Sequence, residues 1–174
     1  DLDTLPGDRP RALIIGALGR VGSGARDFCK AARIATTNWD MAETASGGPF
    51  PEVLQHEMFL NCILANPGCP VFVPANAGDQ PRALRVIGDI ACDPGSAYNP
   101  IPVYDAVTSW AQPVTRVHAV PPLDVMAIDN LPSLLPAEAS VDFATQLLPH
   151  LQGLDQIDGG VWGRAHAVFT RFVG

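Results

Sequence analysis

The 174-residue sequence predicts an α/β fold, a three-layer domain on a mostly parallel sheet. Three observations predict it. Candidate strands alternate with helix-like segments, a glycine-rich turn joins the first, apolar strand to the first helix, and an aspartate closes the second candidate strand. Residues 11–16 (RALIIG) form a run of the kind that makes a buried parallel strand. Residues 21–34 read as a helix and 35–40 as a second strand. Residues 44–51 (TASGGPFP) are loop material, 51–56 are one helical turn, and 58–64 (MFLNCIL) are a third strand. Residues 84–91 (LRVIGDIA) are expected as a fourth strand and 115–119 as a fifth. The proline-rich stretch 92–122 reads mainly as loop and extended chain. Further on, Val141, Ala144, Leu147, Leu148 and Leu151 recur at helical spacing, with Pro136 near the start and Pro149 expected to distort or end the helix. Residues 162–172 read as a terminal helix. The expected division is a dinucleotide-binding domain over 1–135, followed by C-terminal helices over 136–174 that are expected to pack on or return toward a missing N-terminal domain.

Composition narrows the function classes. Nearly half the residues are apolar (47%), enough for a real core. The net charge of −7 argues against nucleic acid or an anionic membrane as the main partner, since both require a positive field. No apolar run approaches the roughly 18 residues of a membrane span, and no basic segment followed by an apolar stretch marks a signal peptide. The start at Asp1-Leu2-Asp3, without methionine, suggests a trimmed or excised piece. Cys29, Cys62, Cys69 and Cys92 form no Cys-x-x-Cys pair, so buried thiols in a reducing, cytoplasmic setting are expected rather than disulfides or a metal site.

The turn after the first strand reads Gly16-Ala17-Leu18-Gly19-Arg20-Val21-Gly22 and opens a helix, the context of a Rossmann-type dinucleotide fingerprint. Glycines let the backbone approach a pyrophosphate, while the helix N-terminus offers free N–H groups. The spacing is Gly-x-x-Gly-x-x-Gly, not the commoner Gly-x-Gly-x-x-Gly, and such turns also occur for packing alone. Asp40 lies about 20 residues on, where a carboxylate accepts hydrogen bonds from the adenine ribose and repels a 2′-phosphate. No arginine follows it, so NAD is favoured over NADP; the plain alternative is a strand-end turn residue. Arg20 is placed to pair with phosphates or to be a solvated surface residue.

Catalytic sets are missing from the sequence. Lys30 is the single lysine and lies past the phosphate site, expected to face solvent. Neither Tyr98 nor Tyr104 begins a Tyr-x-x-x-Lys motif, no Gly-Lys-Ser/Thr is present, and His56, His118, His150 and His166 are scattered. Groups that move protons are therefore expected from a second domain.

The segments RALIIGALGRVGSGA, NWDMAETASGGPF, FLNCIL, RVIGDIACDP and VMAIDNLPSLLPAEAS closely resemble the lysine-forming, NAD-dependent saccharopine dehydrogenases, members of the alanine dehydrogenase and transhydrogenase fold group. The resemblance covers nearly the whole chain and corresponds to about the C-terminal half of such an enzyme. It implies reversible oxidative cleavage of saccharopine to L-lysine and 2-oxoglutarate, lysine metabolism, and a catalytic lysine and histidine in an N-terminal half that this sequence does not include. By motif position it implies Gly19 and Arg20 as pyrophosphate contacts, Asp40 as the ribose ligand and Thr44 as a further cofactor contact. Leu64 and Ile90 resemble residues along the adenosine and nicotinamide-ribose path. Ile128-Asp129-Asn130-Leu131 resembles the segment closing over the nicotinamide end; Asn130 stands where relatives can carry histidine, and Asp129 reads alternatively as a helix N-cap. Competing readings are the cofactor-binding domain of another amino-acid dehydrogenase and a stand-alone nucleotide-binding domain without chemistry.

Overall fold

The computed structural model describes residues 7–173. Asp1–Asp3, read above as a sign of a trimmed start, lie outside the described residues. The chain divides into two compact units, one ending at Asp129 and one beginning at Asn130.

The first unit carries a six-stranded sheet. Its strands are β1 (Arg11–Ile15), β2 (Ala35–Trp39), β3 (Met58–Asn61), β4 (Val86–Asp89), β5 (Thr115–His118) and β6 (Leu123–Met126), in the order β2-β1-β3-β4-β6-β5. Every pairing is parallel except β5 with β6, which is antiparallel. The strand order reverses between β1 and β3, so their carboxyl ends frame the crevice at which such sheets bind ligands.

Alternation along the strands separates two cores. Leu13, Ile15, Phe59, Ile87 and Val125 share one face, whereas Ala12 and Ile14 lie on the other. On the second face sits α1 (Arg20–Ala31), whose buried stripe is Gly22, Ala25 and Cys29, small side chains at helical spacing that admit close approach to the sheet. The helix ends where Arg33 takes a left-handed φ of 56° and the Ile34 amide returns to the Cys29 carbonyl. Within the first unit α3 (Pro51–Leu54) and the irregular segments around Phe72, Ala77, Ile101 and Tyr104 cover the first face, with Trp39, Phe50, Phe72 and Phe59 in a series of edge-to-face and tilted ring contacts. Each fully buried side chain of this size contributes about 1.5–3 kcal/mol.

Several expected bounds shift. The third and fourth strands end at Asn61 and Asp89, three and two residues before the expected ends, because the chain there leaves the carboxyl ends of the central strands for irregular backbone. One helical turn, α2 (Met41–Thr44), lies in a segment with no helix assigned, nucleated by a capping box between Asp40 and Glu43. Strand β6 also escaped the sequence reading; it is only four residues long and follows two prolines.

In the second unit α4 (Pro136–Gln152) contains Pro149 within its last turn instead of ending there. A proline so close to the C-terminus forfeits one hydrogen bond, and the helix closes at Gly153, whose amide reaches the carbonyls of His150 and Leu151. The following α5 (Gly160–Val173) is tied to α4 by the Trp162 indole N–H, which donates to the His150 carbonyl at 2.7 Å. Neither helix has a buried residue among those described.

Candidate functional site

The carboxyl ends of β1, β2 and β3 enclose a cleft of about 510 Å³. Gly16, Gly19, Asp40, Thr44, Cys62 and Leu64 are among its lining residues. Four residues expected at a cofactor site, Gly19, Asp40, Thr44 and Leu64, therefore meet in one place.

The three glycines of the turn have different physical reasons. Gly16 has φ +83°, and a Cβ there would lie 2.7 Å from the Cys62 carbonyl oxygen. At Gly22 a Cβ would lie 2.0 Å from the Gly16 carbonyl oxygen, so helix and turn touch only because that side chain is absent. Gly19 is not required in this way: its φ is −72°, and an added Cβ would meet only the Gly16 carbonyl oxygen, at 3.4 Å. Packing thus accounts for the outer two glycines and leaves the middle one, which faces the cleft, to be explained by something approaching its backbone. Gly19 is the N-cap of α1, with no side-chain cap and no acidic residue in the first turn. The helix presents its positive end there, a fit for a pyrophosphate. Arg20 is the first helical residue and is exposed.

Asp40 joins the glycine turn to the second strand. Its Oδ2 accepts from the Leu18 amide at 2.9 Å and its Oδ1 from the Met41 amide at 2.9 Å. The Asp40 amide donates to Glu43 Oε2 at 2.7 Å. Each carboxylate oxygen keeps lone-pair capacity for a further donor such as a ribose hydroxyl. The turn-residue reading of Asp40 and the binding reading are therefore compatible. Thr44 donates its hydroxyl proton to the Asp40 carbonyl at 2.9 Å, which leaves the Thr44 oxygen as an acceptor. Glu43 adds a second carboxylate to this turn and was not singled out in the sequence; the capping-box spacing from Asp40 was the signal.

Leu64 is 89% exposed at the cleft mouth, an apolar surface available to cover a flat ring. The turn from Asn66 to Pro70, Gly47 and Phe72 also line the cleft; of these only Gly47 lay in a segment the sequence had singled out. Burial pushes the Cys62 thiol up to about 12, with Cys29 and Asp89 adding to the rise, and burial raises Cys69 as well. Both thiols are protonated at neutral pH, so neither is an activated nucleophile. All four cysteines are free. Among the described residues no group of three or more His, Cys, Asp or Glu could hold a metal ion.

The remaining expected contacts lie elsewhere. Ile90 follows the last residue of β4, half-buried, with its amide bonded to the Asn61 carbonyl at 3.0 Å. Ile128 is buried and bridges Thr108, while Asp129 is exposed at the end of the first unit. Asp129 is not a helix N-cap: the short 3-10 helix Leu131–Leu134 is preceded by Asn130, in a left-handed conformation without a side-chain cap. Leu131 opens that 3-10 helix in the second unit. None of these residues lines the cleft, and Lys30 is exposed on α1.

No family model matches the chain. Among curated proteins it is 44% identical to saccharopine dehydrogenase [NAD(+), L-lysine-forming] of Neurospora crassa, over 96% of this chain and 47% of that protein. The proteins of the same name from Candida glabrata and Schizosaccharomyces pombe are 43% and 41% identical, over 94% of this chain and 46% and 47% of their own lengths. The chain spans about half the length of the curated relatives it matches.

Proposed function

This chain belongs to the lysine-forming saccharopine dehydrogenase family, and from that membership we propose that it is the NAD-binding, C-terminal part of such an enzyme. The observation that carries the reading is Gly19: a cleft-lining glycine at an uncapped helix N-terminus, in a position the protein's own packing does not reserve for glycine. Pyrophosphate lies against the Gly19 backbone and the α1 N-terminus, with Arg20 beside it. The adenine ribose donates to Asp40, Thr44 accepts a further hydrogen bond, and Leu64 covers the adenosine path. Ile90, Ile128, Asp129, Asn130 and Leu131 serve the nicotinamide half.

Bound NAD supplies the acceptor for a hydride taken from the carbon that bears the substrate nitrogen. The chain's own part is to orient that acceptor, and to disfavour NADP through the Asp40 carboxylate in the cleft, which repels a 2′-phosphate. Saccharopine, L-lysine and 2-oxoglutarate are the proposed substrates of the whole enzyme. As the family resemblance implies, proton transfer at the C–N bond is assigned to a lysine and a histidine of the other half; Lys30, this chain's single lysine, is exposed on α1 and is given no such role.

Calorimetric titration with NAD and NADP tests the binding role. NAD is expected to bind and NADP to bind at least about tenfold more weakly, the effect of about 1.4 kcal/mol of differential interaction. Equal affinity for the two would overturn the Asp40 assignment. Saccharopine-dependent NADH formation by the full-length protein, absent from this chain alone, tests the division of labour.

A further inference from the structure

Beneath the strand ends lies a buried polar cluster that the binding roles above do not use. Asn61 and Asp89 are the last residues of β3 and β4, paired in register, with 0% and 1% of their surface exposed. A buried aspartate requires partners. Here they are neutral donors from three segments: Asn61 Nδ2 at 2.9 Å, the Cys92 amide at 3.2 Å and the Tyr104 hydroxyl at 2.6 Å. The Asn61 amide is turned to serve Asp89 at the expense of its own oxygen, which is buried without a hydrogen-bond partner among the described residues. An unmade bond of that kind is costly, so the carboxylate dictates the arrangement.

The cluster holds two pieces of irregular chain. The turn after β4 is held through the Cys92 amide, at a residue with a left-handed φ of 49°, and its thiol donates to the Ala127 carbonyl at 3.0 Å. The stretch around Ile101 and Tyr104 is held through the Tyr104 hydroxyl, on a side chain that is itself 8% exposed. Neither piece has helix or sheet hydrogen bonds of its own to fix it.

The sheet order gives the cluster a direction. With the ribose acceptor Asp40 at the end of β2 and the pyrophosphate turn after β1, a dinucleotide lying across the crevice extends over β3 and then β4. Its nicotinamide-ribose half then lies over the strand ends that Asn61 and Asp89 close. We propose that Asp89 is a positioning residue for that half of the cofactor: through Tyr104 and the Cys92 amide it fixes the floor on which the nicotinamide-ribose moiety rests. It does not touch the cofactor itself. This inference rests on the NAD-binding reading.

Comparing NAD with ADP, which occupies only the adenosine and phosphate end, separates positioning from general stability. Tyr104→Phe keeps the ring and removes the bond to Asp89. It is expected to weaken NAD roughly tenfold, the worth of one hydrogen bond to a charged group, while ADP affinity stays unchanged. Asp89→Asn, which cannot accept from all three donors, is expected to act in the same sense and is read alongside. An unchanged ratio of NAD to ADP affinity in both variants would overturn the proposal, whether both ligands weaken together or neither does. Loss of the fold in both variants would overturn it in favour of a purely structural role. Failure of the unaltered protein to bind either ligand would overturn the NAD-binding reading and this inference with it.

Discussion

Gly19 and Gly22 are three residues apart on one turn, yet they answer to different demands. A methyl at Gly22 would be driven into the Gly16 carbonyl, so Gly22→Ala is expected to cost about 3 kcal/mol, the upper range for overpacking, with a large fall in Tm. A methyl at Gly19 meets only the Gly16 carbonyl oxygen at 3.4 Å. Gly19→Ala is expected to change stability by less than about 1 kcal/mol, the scale of an N-cap exchange, while weakening NAD roughly tenfold by obstructing the backbone approach. Thermal melts with parallel titrations check both, and a Gly19→Ala protein that binds NAD normally would remove the pyrophosphate assignment. Asp40 calls for a subtler exchange, because it braces the turn as well as facing the cleft. Asp40→Ser retains an N-cap oxygen for α2 and deletes the carboxylate. It should lower NAD affinity with little loss of Tm, whereas Asp40→Ala should lower both, and Lys30→Ala neither.

At the scale of elements, β1 is held at its start by one ion pair. Arg11 bonds Glu57, just before β3, through its backbone amide at 2.8 Å and its guanidinium at 3.1 Å, and the Gln55 carbonyl at 2.6 Å. The side-chain hydrogen bond from Arg11 is the main reason the Glu57 carboxyl falls from 4.5 to about 2. A depressed carboxylate contributes stability above its ordinary range, and that contribution is lost as pH falls from about 4.5 towards 2. Both partners are substantially exposed, so the effect is modest. Glu57→Gln should lower Tm at pH 7 and lose less than the parent between pH 4.5 and 2; identical pH profiles would refute the link. The same elements show what was legible. Strands β1, β3 and β4 announced themselves as apolar runs because they lie inside the sheet, whereas β2 (ATTNW), at its edge and partly exposed, was legible only from its place between the first helix and Asp40. The β5–β6 pair was half legible, because β6 is an alternating four-residue strand in a proline-rich neighbourhood where no local pattern competes with loop chemistry. The cleft divides likewise. Its glycine and aspartate were readable from spacing, but the Asn66–Pro70 wall and the Asp89–Tyr104 cluster exist only through contacts distant in sequence.

For the whole molecule, the second unit poses a thermodynamic question. Phe143, Leu148, Leu151, Phe169 and Phe172 are exposed on α4 and α5, two helices with no buried residue among those described. Apolar surface of this extent lies unburied within the chain, and tertiary packing normally supplies most of a helix's stability. The chain spans about half the length of its relatives, and we propose that the other half of a full-length saccharopine dehydrogenase covers these helices. On that proposal the C-terminal helices belong functionally with that half, and the proposed cofactor cleft belongs to the first unit. Hydrogen exchange distinguishes the two. In the full-length enzyme the amides of residues 136–173 should be protected well beyond their level in this chain alone, while those of β1, β3 and β4 should exchange alike in both, because their cores are complete within the first unit. Equal protection of α4 and α5 in the two proteins would mean that the other half does not cover them.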